Sequence, residues 1–171
     1  MSLSGAYSKH STRLQPRFGY YVAMLGTTLV TLLIALFGAP QSGSEPWKET
    51  QLIEPAILAA RLADARAAKP AILYVGPKLL FRAHIPGALF AGPTGQQNGL
   101  ELFKQAAAKL PRDREVVIYC GCCPWKQCPN IRPAFRVLHE MKFEKVKVLT
   151  LPTRFQQDWM EKGFPVEKDP S

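Results

Sequence analysis

Glu115-Val116-Val117-Ile118-Tyr119-Cys120-Gly121-Cys122-Cys123-Pro124-Trp125-Lys126-Gln127-Cys128-Pro129-Asn130-Ile131-Arg132-Pro133 changes character twice within nineteen residues. Its opening run, 115–119, is short, β-branched and aromatic, which suits a buried strand. From Pro133 onward Ala134, Leu138 and Met141 recur at helical spacing, so a helix with one apolar face follows. Between them lies a loop, Gly121 to Pro129, that carries three of the chain's four cysteines, and Cys120 stands at the strand's end. All four thiols fall within nine residues. A framework of disulfides stapling distant segments is thereby excluded, and one local thiol site remains. A thiol at the end of a strand, on a loop feeding a helix N-terminus, stands where open α/β sheets collect ligands and reacting groups.

Working outward, 55–67 is rich in alanine and leucine with Pro55 at its start, the pattern of a helix with a favoured first-turn residue. Ala71 to Val75 is a fully apolar strand ended by Gly76-Pro77, and Ala88 to Ala91 is a short strand after the Pro86-Gly87 turn. Leu100, Phe103, Ala107 and Leu110 predict an amphipathic helix over 99–110. Lys145 to Leu149 alternates as a strand with one polar side does, and Phe155 to Glu161 reads as a last short helix before Gly163. Nearly all-apolar strands alternating with helices predict an α/β fold with a parallel sheet covered on both faces.

The N-terminal part has another character. Phe18 to Phe37 is a twenty-residue run without a charge. As a helix it would span ~30 Å, the thickness of a bilayer's hydrocarbon core. Lys9, Arg13 and Arg17 precede it and would stay cytoplasmic. A cleaved signal has the same charge order but an apolar region of only ~7–15 residues. The expectation is therefore a basic cytoplasmic N-terminus over 1–17, a transmembrane anchor or signal segment over 18–37, a linker over 38–46, and a folded domain over 47–168. The domain would lie on the periplasmic or extracellular side, single-pass anchored or else secreted to the periplasm. The net charge of +9 suits anionic partners, but no basic run with interleaved aromatics occurs, so nucleic acid is not expected as a partner.

Several of these residues resemble one family. Ala83-His84-Ile85-Pro86-Gly87-Ala88 resembles the Gly-His-Ile-Pro-Gly-Ala signature of rhodanese-like domains. Val117-Ile118-Tyr119-Cys120 resembles that family's strand ending in its sulfur-carrying cysteine. Trp159, Gly163, Pro165 and Val166 resemble its closing Trp…Gly-x-Pro-Val. The marks run from about Trp47 to Glu167 in the family's order. The chain also departs from the pattern. Tyr74-Val75-Gly76-Pro77 stands where the family has Asp-x-Arg. Its loop of about nine residues replaces one of about five, and Leu151-Pro152-Thr153 replaces a Gly-Gly pair. The resemblance implies a rhodanese-like sheet flanked by helices and Cys120 as a persulfide-carrying nucleophile.

The chemistry of such a loop follows from ionisation. A thiolate attacks sulfur, whereas a thiol with a pKa of about 8.5 is only ~3% ionised at neutral pH. Backbone N–H groups and a helix N-terminus stabilise the anion, and Gly121, Lys126 and Arg132 are the candidate anion-binding residues. Asn130 is the natural N-cap of the helix. His84 reads as a residue that holds its turn, and Trp125 as a lid or partner contact, not core. Cys122, Cys123 and Cys128 are candidate resolving thiols. No resident cofactor or metal is expected, and covalent haem is excluded by the absence of Cys-x-x-Cys-His. The reading is a sulfurtransferase or thiol oxidoreductase that takes a small anionic sulfur donor or a thiol substrate. The alternative is a non-catalytic module whose loop binds a soft metal such as Cu(I) or a partner's thiol.

Overall fold

A computed structural model describes residues 45–168. The anchor or signal segment expected over 18–37, with the basic residues before it, lies outside the described residues. Among the described residues no helix is long and apolar enough to cross a membrane.

The chain forms β1 (Leu52–Ile53), α1 (Pro55–Ala63), β2 (Ala71–Tyr74), β3 (Ala83–His84), β4 (Ala88–Phe90), α2 (Gln97–Ala108), β5 (Val116–Tyr119), α3 (Ile131–Glu140), β6 (Val146–Leu149), a π-helical turn (Gln156–Met160) and β7 (Glu167–Lys168). Five strands make a parallel sheet in the order β1-β6-β5-β2-β4, while β3 and β7 pair antiparallel beside it. β5 lies in the middle, with Tyr119 opposite Tyr74 of β2 and Ile118 opposite Val148 of β6. Its four residues are all buried. Burial on both faces is why this strand reads as an unbroken apolar run with no alternation.

Side chains along β5 point alternately to the two faces. Val116 and Ile118 join a core with Phe103 and Ala107 of α2 and Ala134, Phe135 and Leu138 of α3. Val117 and Tyr119 join a second core with Leu58 and Ala59 of α1 and with Phe155 and Trp159. Cys120, next in the alternation, belongs to the α2–α3 side. The chain leaves β2 toward β3 and β4 but leaves β5 toward α3 and β6. The carboxyl ends of β2 and β5 therefore flank the crevice where such sheets place ligands.

Three boundaries differ from the sequence reading for local reasons. α1 stops at Ala63 because the Asp64 carboxylate accepts the Arg66 N–H at 2.8 Å, a turn that competes with the helix. α3 begins at Ile131, ahead of Pro133, which still falls where no intrahelical N–H is needed. The expected last helix is a π-helical turn in which the Glu161 N–H reaches the Gln156 carbonyl at 2.9 Å. The two-residue strands β1, β3 and β7 carry too few residues to show a period.

Candidate active site around Cys120

Two glycines make room for Cys120. Gly76 follows β2, and a Cβ there would lie 2.9 Å from the Cys120 Sγ and 2.5 Å from the Tyr74 Oη. A hydrogen is all that fits between the thiol and that ring. This glycine stands within the segment that replaces the family's Asp-x-Arg. Gly121 takes φ +80°, and a Cβ on it would meet the Phe155 Cβ at 2.7 Å. Its carbonyl accepts the Phe155 N–H at 3.1 Å, and the Trp125 N–H donates to the Leu151 carbonyl at 3.0 Å. These bonds tie the cysteine loop to the segment after β6.

The sulfurs gather at one point. The Sγ atoms of Cys120 and Cys122 are 3.2 Å apart, as are those of Cys122 and Cys123. Those of Cys120, Cys122 and Cys128 all lie within 4.8 Å of one another, close enough to serve as ligands to a three-coordinate soft ion. Asn130 takes the N-cap position of α3 but makes no capping bond with its side chain, contrary to the sequence expectation. Its amide is committed elsewhere. Nδ2 donates to the Cys120 Sγ at 3.3 Å and faces the Cys128 Sγ at 3.9 Å, while Oδ1 accepts the Gly95 N–H at 2.8 Å. The Thr94 hydroxyl donates to the Asn130 carbonyl.

The amide cradle expected around Cys120 closes on Cys128 instead. Cys128 is fully buried, yet its thiol is pulled down to about 5, first by the adjacent Cys120 thiol and then by the backbone N–H groups of Asn130 and Ile131, against the cost of burial. Those N–H groups belong to the start of α3, where the helix carries partial positive charge. Cys120 is pushed far above the ordinary thiol range, first by its interaction with Cys128 and then by burial; the one backbone N–H it meets, from Cys122, does not offset this. Burial, and then contact with Cys122, pushes Cys123 up to about 12. Within the Cys120–Cys128 pair, ionisation is thus favoured at Cys128, by the helix end, over Cys120.

Cys120 also faces outward. A cavity of about 400 Å³ opens beside it, lined by Cys120, Gly121, Cys122, Tyr74, Phe155 and other residues from the β2–β3 connection and the π-helical turn. Arg82 and Arg154 stand on its exposed rim. Among the described residues neither forms a salt bridge. Lys126 and Arg132 do not line this cavity. Lys126 lies over the Trp125 ring at 5.6 Å. Arg132 bonds the Glu45 carboxylate at 2.5 Å and the Lys126 carbonyl at 2.7 Å, so it braces the loop. Trp125, expected as a lid or partner contact, instead packs beside Trp47, ring centres 5.6 Å apart, as part of the core's margin. His84 stacks on Phe81 at 4.1 Å and its Nδ1 lies 2.9 Å from the Phe81 carbonyl; it holds the β3 turn away from the thiols.

Sequence reasoning did not single out Arg82, Arg154 or Gly76, and it gave Asn130 a different task. A signal was present for the first three. Arg82 immediately precedes the Ala83–Ala88 motif, and Arg154 immediately follows the Leu-Pro-Thr that replaces the Gly-Gly pair. Gly76 lies in the altered segment after β2.

No family model matches the chain, and no curated protein does. Solved structures do. The crystal structure of the Alr3790 protein from Anabaena sp. aligns with a TM-score of 0.53 at 24% identity, covering 68% of this chain and 82% of that one. The solution structure of the rhodanese-like domain of the same Anabaena protein aligns with a TM-score of 0.51 at 22% identity, covering 70% and 80%. The crystal structure of the BH2092 protein from Bacillus halodurans gives 0.53 at 16% identity, covering 84% and 86%. At these identities the likeness concerns the fold, and the fold of this chain is that of a rhodanese-like domain.

Proposed function

We propose that this chain, rhodanese-like in fold, is a thiol-based sulfurtransferase that takes a sulfane sulfur from a small anionic donor onto Cys120. The observation that carries this reading is the position of Cys120 on a cavity rimmed by two arginines that have no ion-pair partner among the described residues. Arg82 and Arg154 draw an anionic donor to the mouth. The Cys120 sulfur attacks the donor's sulfane sulfur; a new S–S bond forms, and the donor's bond to that sulfur breaks with its electron pair leaving on the donor. The Cys120 proton passes through the cavity to the departing anion as the new bond forms. The incoming sulfur occupies the cavity beside the Cys120 Sγ.

The charge order of residues 1–37 supports a place for this activity outside the cytoplasmic membrane, with 18–37 as anchor. Protease protection of the domain in intact cells, lost on permeabilising the outer envelope, would accord with that placement. The activity itself is tested with inorganic polysulfide. The full chain should consume its sulfane sulfur, and Cys120→Ser should lose about two orders of magnitude of that rate, as loss of a nucleophile does. Undiminished consumption in Cys120→Ser overturns the reading.

A second reading rests on the three clustered sulfurs of Cys120, Cys122 and Cys128: a module that captures a soft ion such as Cu(I). It predicts one equivalent of metal retained through purification and no sulfur consumption. The arginine-rimmed cavity has no task in that reading, which is why we place it second.

A further inference from the structure

Cys120 has two different neighbours on two different sides. Toward β3 and the π-helical turn it meets the cavity; toward α2 and α3 it meets Cys128, which is fully buried and does not line the cavity. A sulfur carried by Cys120 projects into the cavity, since that is where space exists. Exchange at a sulfur–sulfur bond proceeds by a thiolate attacking one sulfur while the other departs. The attacking sulfur approaches from the side opposite the one that leaves. Cys122 lines the cavity beside Cys120 and so stands on the leaving side. Cys128 stands on the other.

We propose that Cys128 is a resolving nucleophile: it attacks the Cys120 Sγ of the persulfide, expels the carried sulfur as hydrosulfide into the cavity, and leaves a Cys120–Cys128 disulfide. This rests on the sulfurtransferase reading of the same cavity and extends it from sulfur carriage to reductive sulfur release. The step balances without an outside oxidant. Starting from Cys120–Sγ–SH and the Cys128 thiolate, an Sγ–Sγ bond forms and the Sγ–SH bond breaks, its electron pair leaving with HS⁻. The sulfane sulfur is reduced by two electrons, and the two cysteines together are oxidised by two. A dithiol reductant closes the cycle by reducing the bridge and becoming a disulfide itself.

Three features of the site fit the role. The Cys128 sulfur lies within 4.8 Å of the Cys120 sulfur, so a bond of ~2 Å needs only a local adjustment of the loop. The backbone N–H groups of Asn130 and Ile131 face the Cys128 sulfur, as an attacking thiolate requires. The Asn130 amide touches both sulfurs and holds them as a pair.

The test treats the full chain with one equivalent of inorganic polysulfide in the absence of thiols. Wild type should release sulfide stoichiometrically, lose the mass of two hydrogens, and yield a peptide map joining Cys120 to Cys128. Cys128→Ser should keep the mass of one extra sulfur on Cys120 and release sulfide at least tenfold more slowly; Cys128→Ala serves if the serine variant misfolds, and the wild-type map needs no variant. A wild type that accumulates the Cys120 persulfide with no bridge, or that bridges Cys120 to Cys122, overturns the inference and leaves the sulfurtransferase reading standing. Failure of both wild type and Cys128→Ser to take up sulfur overturns the two together.

Discussion

On one side of Cys120 lies an open cavity with exposed arginines and the exposed Leu79 and Leu80 at its mouth. On the other lies a closed pocket formed by Cys128, Asn130 and Thr94, all buried. The open side is shaped for something that arrives and departs. The closed side is shaped for a charge that stays, because every polar atom there is matched within the protein: Asn130 by Gly95 and two sulfurs, Thr94 by the Asn130 carbonyl. The same low-dielectric enclosure that strengthens those bonds makes an unpartnered group costly. A negative charge is therefore favoured on the closed side, at the helix end, over the sulfur that meets substrate. Two adjacent thiols are made unlike first by their hydrogen bond to each other, then by burial and by the backbone N–H groups at the start of α3.

That contrast can be broken from its pivot. Gly76→Ala puts a methyl against the Cys120 Sγ and the Tyr74 ring and should cost about 1–3 kcal/mol through overpacking, read by denaturant unfolding. It should also stop sulfur uptake without removing any reactive group. Asn130→Ala removes the donor that touches both sulfurs and strands the Gly95 N–H, at a cost of about 1–3 kcal/mol. Its sharper readout is ionisation. The Cys128 thiolate is the favoured form, so its ultraviolet absorbance in wild type should persist as pH falls and disappear through about pH 5. In Asn130→Ala the loss should begin at higher pH. A smaller effect is expected from the open side. Replacing Arg82 and Arg154 together by glutamine should lower kcat/KM for an anionic donor about tenfold and flatten its dependence on salt, with the Cys128 titration unmoved. An equal fall for a neutral organic persulfide would show that the arginines do more than attract charge.

How much of this the sequence carried depends on the range of each interaction. β5 and the apolar faces of α2 and α3 were legible because burial writes itself as hydrophobic pattern: Phe103, Ala107, Ala134 and Leu138 recur at helical spacing and are buried. The parallel sheet followed from the same evidence. The cysteine loop was legible as a site through composition. Which thiol holds the charge was not, since that depends on where two N–H groups of α3 point. The Asn130 side chain reaches back ten residues to Cys120 and across to Gly95, and pairings of that kind leave no periodic trace. The arginine rim was invisible for a similar reason: Arg82 and Arg154 are seventy-two positions apart in the sequence and meet only once β2 and β6 are neighbours of β5.

The most direct trial is to locate the added sulfur. Cys128→Ser in the full chain, treated with inorganic polysulfide and fragmented under non-reducing conditions, should carry one extra sulfur on Cys120 and none on Cys122 or Cys123. An extra sulfur found on Cys122 or Cys123, with Cys120 unmodified, would contradict the account.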